Sequence, residues 1–146
     1  MVIIGICSGG FDPLHIGHLH YLRSAKSDCD LLTVIINNDN WLAKKKGYIF
    51  MNQDDRISIV SAMRCVDSTV LSVSEESDVS LDIQLIFDKF KYKTKNFVFF
   101  NGGDVLAANP EEKKICDRLG IIQTFNAGNG KIRSSSELIN RVRNAK

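Results

Sequence analysis

The sequence predicts an α/β domain built on a five-stranded parallel sheet with helices on both faces. Three observations predict it: short, nearly continuous apolar runs rich in β-branched and aromatic residues, stretches of helical spacing between them, and strict alternation of the two along the chain. Strands buried on both faces carry apolar residues at successive positions rather than at every second one, which is how a parallel sheet covered by helices reads.

The apolar runs fall at 2–7, 31–36, 69–73, 97–100 and 121–125. Helical spacing occupies 17–26, 54–63, 79–90 and 111–119, and a last stretch runs from Ser135 to the C-terminus. The order β-α-β-α-β-α-β-α-β-α is that of a Rossmann-like sheet. Section 40–53 is the least regular, contains Lys44, Lys45, Lys46 and Gly47, and is expected to form a mobile flap between the second strand and the next helix. No repeat, low-complexity tract or Pro/Gly-rich linker divides the 146 residues, so 1–146 are expected to form one domain. Ligands of such sheets sit at the carboxyl ends of the strands, near the point where strand order reverses. The loops after the first, second, fourth and fifth strands are therefore where chemistry is expected.

Composition narrows the class. The chain is 44% hydrophobic and 25% charged, and no apolar run approaches the roughly 20 residues that cross a bilayer. A net charge of +2, spread along the chain, gives no nucleic-acid footprint. The first seven residues lead straight into glycines without a basic leader, so they read as a strand rather than a signal peptide. Cys7, Cys29, Cys65 and Cys116 are widely spaced, with no CxxC pair or histidine partner; neither a disulfide framework nor a metal site is expected, and a reducing, cytoplasmic setting is implied.

The most informative segment is Ser8-Gly9-Gly10-Phe11-Asp12-Pro13-Leu14-His15-Ile16-Gly17-His18, where the first strand runs into the first helix. Glycines let backbone approach a ligand, and a helix N-terminus presents unpaired N–H groups to an anion. His15 and His18, three apart, share one side of the first turn and would face that anion. His20 lies on another face and is given no role. Asp12 either contacts a ligand or forms an Asx turn before Pro13, and Trp41 reads as a packing residue close to the lysines. Lys44 to Lys46 stand at the ligand edge, which favours phosphate contact over a merely solvated loop. Arg56 and Arg64 read as surface positions on a helix. Asn101-Gly102-Gly103-Asp104 is either an ordinary turn or, following the fourth strand at the ligand edge, a loop that brings backbone to a ligand, with Asp104 accepting hydrogen bonds. Ser134, Ser135 and Ser136, beside Lys131 and Arg133, both cap the last helix and present hydroxyls to phosphate.

GGFDPLHIGH resembles the HxGH signature of the nucleotidyltransferase superfamily related to class I aminoacyl-tRNA synthetases. Arg64-Cys65-Val66-Asp67, the Asn-Gly-Gly-Asp loop and the serine segment extend the resemblance over nearly the whole chain, to the cytidylyltransferase-like group that includes glycerol-3-phosphate cytidylyltransferase and sugar-phosphate adenylyltransferases.

The resemblance implies transfer of a nucleoside monophosphate from CTP or ATP to a sugar, polyol or amino-alcohol phosphate, with release of pyrophosphate. CTP is preferred, although Val105 to Pro110 lack the tryptophan often found after that loop. The alternatives are an adenylyltransferase acting on a cofactor precursor and an inactive nucleotide-binding module. By resemblance, His15, His18, Lys44 and Lys46 are catalytic, and Asp12, Lys45 and Arg64 bind the acceptor. Gly9, Gly10, Phe11, Gly17, Asn101, Gly102, Asp104, Arg133, Ser134, Ser135 and Ser136 bind the nucleotide. Mg2+ is expected to be held through phosphate oxygens rather than a protein cage. A homodimer is implied, with no nucleic-acid or membrane partner.

Overall fold

The computed structural model describes residues 1–75, 78–103, 105, 107–128 and 135–145, the side chain of Ser136 excepted. Five strands form one sheet: β1 (Ile3–Gly9), β2 (Leu31–Ile36), β3 (Ser68–Leu71), β4 (Asn96–Gly102) and β5 (Ile122–Ala127). Six helices accompany them: α1 (Ile16–Ser27), α2 (Asp39–Lys46), α3 (Gln53–Ser61), α4 (Ser80–Phe90), α5 (Pro110–Leu119) and α6 (Ser135–Asn144). All strand pairs are parallel, in the order β3-β2-β1-β4-β5. The α/β architecture expected from the alternating runs is thus present.

Side-chain alternation along the strands divides the core in two. Ile4, Ile6, Ile35, Phe97 and Phe99 pack with Ile83 and Ile86 of α4 and Ile115 and Cys116 of α5. Cys7, Leu32, Val34, Ile36 and Phe100 meet Tyr21, Leu22 and Ala25 of α1 and Val60 of α3 on the opposite face. From β1 the chain moves outward through β2 to β3, then crosses back to place β4 on β1's other side. Connections leave the carboxyl ends of β1 and β4 in opposite directions, and a crevice opens between them.

The largest departure from expectation lies in 40–53. Asp39–Lys46 is a helix, with the Asn38 side chain accepting from the Trp41 N–H at 2.8 Å and Gly47 closing it at φ 78°. Its sequence shows no helical period because Trp41 and Leu42, its buried residues, are adjacent. The expected flap is instead anchored at both ends, because residues beyond Gly47 are held by two buried charged groups. Asp12 accepts from the N–H groups of Phe50 and Met51 at 2.8 and 2.6 Å. Arg56, expected on a helix surface, is 0% exposed. Its Nε donates to Met51 O at 2.9 Å, its Nη1 to Gly10 O and Asn37 O at 2.8 and 2.6 Å, and its Nη2 to Asp39 Oδ1 at 2.7 Å.

Removing the guanidinium would orphan three carbonyls and leave the Asp39 carboxylate without its buried partner. Arg56→Met is therefore expected to lower the free energy of unfolding by about 3–5 kcal/mol. Arg56→Lys should recover only part of that, since one ammonium cannot reproduce a planar fork. Urea denaturation measures both, and a loss of less than about 1 kcal/mol for the Met variant would contradict this account.

Candidate active site

The loop from Gly9 to His15 joins β1 to α1 at the carboxyl edge of the sheet, and packing explains its composition. A Cβ on Gly9 would lie 3.1 Å from the Phe11 ring, and one on Gly10 would lie 2.9 Å from Leu42 and 3.9 Å from Lys46 Nζ. Glycine at position 10 therefore keeps the backbone under both the Leu42 side chain and a lysine ammonium. Phe11 takes a left-handed conformation at φ 54° that turns its ring inward, where it is buried. The ring supports the first histidine turn, meeting His18 edge-on with centroids 5.0 Å apart.

His15 and His18 cap the helix that they begin. His15 is the N-cap of α1, and its Nδ1 accepts from the Gly17 N–H at 3.1 Å. His18 Nδ1 reaches back to accept from the His15 N–H at 3.3 Å, so two imidazoles form a reciprocal capping box. The rings stack with centroids 3.9 Å apart and an interplanar angle of 24°. An Nδ1 that accepts a hydrogen bond carries no proton, so in the neutral ring the hydrogen resides on Nε2. The geometry selects one tautomer in both rings, with Nε2 as donor, at a helix terminus that already favours anions.

The lysines diverge. Lys46 Nζ donates to the Asp12 carbonyl at 3.3 Å, beside the glycine loop. Lys45 lines the crevice. Lys44 lies on the outer side of α2, its side chain 63% exposed and 3.6 Å from Glu75, so the expected catalytic place of this residue is not where the helix puts it. Asp12, expected to bind the acceptor, is 0% exposed with both oxygens engaged by backbone N–H groups, and braces the loop instead. Arg64 is exposed in the turn leading into the amino end of β3, at the edge of the sheet opposite the histidines, and is not brought together with them. Ser135 donates to the Pro13 carbonyl at 3.0 Å and brings the start of α6 to the histidine loop. Asp104, Lys131, Arg133, Ser134 and the Ser136 side chain lie outside the described residues.

The crevice is a cavity of about 330 Å³, within the range of small-molecule sites. Ser8 and Gly9 of β1, Asn37 after β2, and Asn101 and Gly102 of β4 lie at its base; Trp41, Lys45, Val79 and Glu112 form its walls. Tyr21 marks where β1 and β4 part, donating to Phe100 O at 2.6 Å and accepting from the Ser8 N–H at 3.2 Å. Asn101 and Gly102 were expected there, whereas Asn37, Tyr21 and Glu112 escaped sequence reading. Asn37 carried a signal, as the first residue beyond a strand at the ligand edge. Glu112 resembles any first-turn helix acid, and only folding sets it against the crevice, where burial raises its carboxyl pKa while the Val79 N–H and Lys45 oppose the rise. Among the described residues, no group of three or more His, Cys, Asp or Glu is arranged to hold a metal ion, and no helix is long and apolar enough to cross a membrane.

A parallel sheet with histidines at the first strand-to-helix turn and a polar crevice at its switch point defines a nucleotidyltransferase-like protein. The chain belongs to the cytidylyltransferase-like family, whose model matches residues 6–141. It is 29% identical to an FAD synthase of Picrophilus torridus over 140 residues, covering 94% of each chain. Over 83 residues it is 39% identical to an FAD synthase of Pyrococcus abyssi, which is 56% of this chain and 53% of that enzyme. A bifunctional protein HldE of Aliarcobacter butzleri is 35% identical over 118 residues, spanning 80% of this chain and 23% of that larger protein. A lipopolysaccharide core biosynthesis protein of Thermoplasma volcanium superposes with a TM-score of 0.62 at 25% identity, covering 86% of this chain and 95% of that one.

Asp12 as a brace has a measurable consequence. Asp12→Asn keeps the side-chain shape but turns an amide NH2 toward one of the two N–H groups, and is expected to cost about 1–3 kcal/mol of stability. Because both carboxylate oxygens are engaged by backbone N–H groups, the KM for an acceptor should stay within about twofold of wild type. A tenfold rise in that KM without loss of stability would restore Asp12 to the acceptor site.

Proposed function

We propose that this chain transfers an adenylyl group from ATP to a phosphorylated small molecule and releases pyrophosphate. The observation that carries the proposal is the stacked pair His15 and His18, held as Nε2 donors at the N-terminus of α1 beside Lys46 and the glycine loop. The relatives named FAD synthase favour ATP over the CTP preferred from sequence, since FAD consists of FMN joined through its phosphate to AMP. They favour a cofactor precursor such as FMN over a sugar or polyol phosphate as acceptor.

A phosphate oxygen of the acceptor attacks the α-phosphorus of ATP in line. The bond from that phosphorus to the oxygen bridging to the β-phosphate breaks, and pyrophosphate departs on the opposite side. The attacking oxygen is already anionic, so no general base is needed. The protein aligns two anions and stabilises charge that grows on the α-phosphoryl and leaving groups. The Nε2–H groups of His15 and His18 donate to those oxygens, the α1 N-terminus adds its partial positive charge, and Lys46 lies over the leaving phosphates. Lys45, one residue earlier on α2 and facing the crevice, meets the acceptor phosphate. The contact of Ser135 with Pro13 supports phosphate binding by the segment that opens α6. Among the described residues no carboxylate cluster would hold Mg2+, so the ion would arrive with the nucleotide and would supply neutralisation of phosphate charge.

A pyrophosphate-release assay crossing ATP, CTP, GTP and UTP with FMN and a panel of sugar phosphates tests the reading, with ATP expected as donor. The histidines need substitutions that spare the cap. Asn at position 15 caps helices well, and Gln at position 18 can reach back to the N-cap N–H. His15→Asn and His18→Gln should each lower kcat by about 100-fold or more, with melting temperature nearly unchanged. Full turnover in either variant would remove that histidine from the mechanism.

A further inference from the structure

Among the described residues, the crevice lining holds one buried polar atom that the fold does not satisfy. Asn37 is 7% exposed, and its Oδ1 is buried without a hydrogen-bond partner. Its backbone, by contrast, is fully used: the N–H donates to Gly9 O at 2.9 Å and the carbonyl accepts from Arg56. Across the crevice, Glu112 accepts from the Val79 N–H at 3.0 Å through Oε2. Leaving a buried amide oxygen unpaired is costly, and a ligand that supplies a donor removes the cost. Helix capping accounts for one oxygen of Glu112 and for nothing at Asn37. The hydroxyl of Tyr21 is already committed to Phe100 and Ser8, so it offers no free donor to either group.

Charge gives the crevice a direction. Lys45 stands on its α2 side, one residue from Lys46 and the histidine loop, whereas Glu112 stands on its α5 side. A phosphomonoester entering this field turns its phosphate toward the lysines and its other end toward Glu112 and Asn37. Trp41 and Val79 supply apolar wall between the two ends. A carboxylate has no proton to give, so whatever meets it must donate.

Resting on the transfer reaction proposed above, we propose that Glu112 and Asn37 are the specificity-determining residues for the acceptor, selecting a phosphomonoester whose far end carries hydroxyl or N–H donors. A site built to pair with such groups rejects an analogue lacking them, because its own polar atoms are then left unpaired.

The test separates this inference from the reaction itself. Trp41 is the chain's one tryptophan and lines the crevice, so its emission reports occupancy without turnover. The full chain is titrated with ribitol 5-phosphate, with FMN, and with n-pentyl phosphate, which has a phosphate but no donors. Trp41 emission follows the colourless compounds and calorimetry follows all three. Ribitol 5-phosphate or FMN is expected to bind at least tenfold more tightly than n-pentyl phosphate, the first alone implicating a polyol chain and FMN alone a ring N–H. Glu112→Gln, which retains an acceptor for the Val79 N–H, and Asn37→Ala should each weaken that binding tenfold or more while leaving ATP affinity within twofold. Equal binding of all three probes, failure of every probe to bind, or loss of ATP rather than acceptor affinity in the variants would overturn the inference. Absence of pyrophosphate release with donor-bearing probes still bound selectively would instead overturn the transfer reaction and leave the crevice assignment standing.

Discussion

One buried guanidinium organises the ligand edge of this protein. Arg56 reaches from α3 to the carbonyl of Gly10 after β1, to the carbonyl of Asn37 after β2, to the Asp39 carboxylate at the start of α2, and to Met51 in its own approach segment. Each of these groups is a polar atom at the end of an element that would otherwise need water. A planar fork with fixed donor directions satisfies them together and thereby fixes the distance between the first two strand ends. Asp12 completes the arrangement from the opposite direction, its two oxygens held by consecutive N–H groups of the segment that Arg56 also grips. Position of the glycine loop, and so of both histidines, follows from this lattice of charged hydrogen bonds.

The histidines cap the helix with one ring nitrogen and leave the other for the donor role proposed above. A capping box usually pairs a hydroxyl with a carboxylate or amide, and here two imidazoles do both jobs. Using Nδ1 for the backbone leaves Nε2 as the proton-bearing nitrogen of the neutral ring, so the helix cap dictates the tautomer that the proposed phosphate contact calls for. Stacking of the rings on one another, and of Phe11 edge-on to His18, limits the orientations from which Nε2 can point. Donors that are already oriented need not reorganise when charge develops, which is where a positioning catalyst gains most.

The crevice beside them differs in kind. It lies at the switch between β1 and β4, is floored by a tyrosine whose hydroxyl ties those strands, and has walls of opposite charge. The loop with the histidines is dominated by donors and cations; the crevice holds acceptors as well. Two anionic molecules brought to one edge would repel each other. In the transfer proposed above, separating a cationic zone shared by the phosphates from a polar pocket for the remainder of the acceptor would provide alignment without trapping either.

Local chemistry is what the sequence by itself determined. Runs such as Leu31–Ile36 can only be buried strands, helix spacing between them gives the alternation, and the glycine-flanked HxGH segment marks the first strand-to-helix turn, where the anion site is proposed. Tertiary structure decided everything that depends on which distant residues meet. Helix α2 is invisible to periodicity yet sends Lys44, Lys45 and Lys46 in three directions. Asp12 and Arg56 look like a ligand and a surface charge until folding buries both, while Arg64 is carried to the wrong edge. Asn37 and Glu112 lie 75 positions apart and face one crevice only because the chain crosses back from β3 to β4. The physical reason is range: strand and helix formation, capping and turns act over a few residues, whereas burial, charge pairing and cavity shape are set by the packed whole.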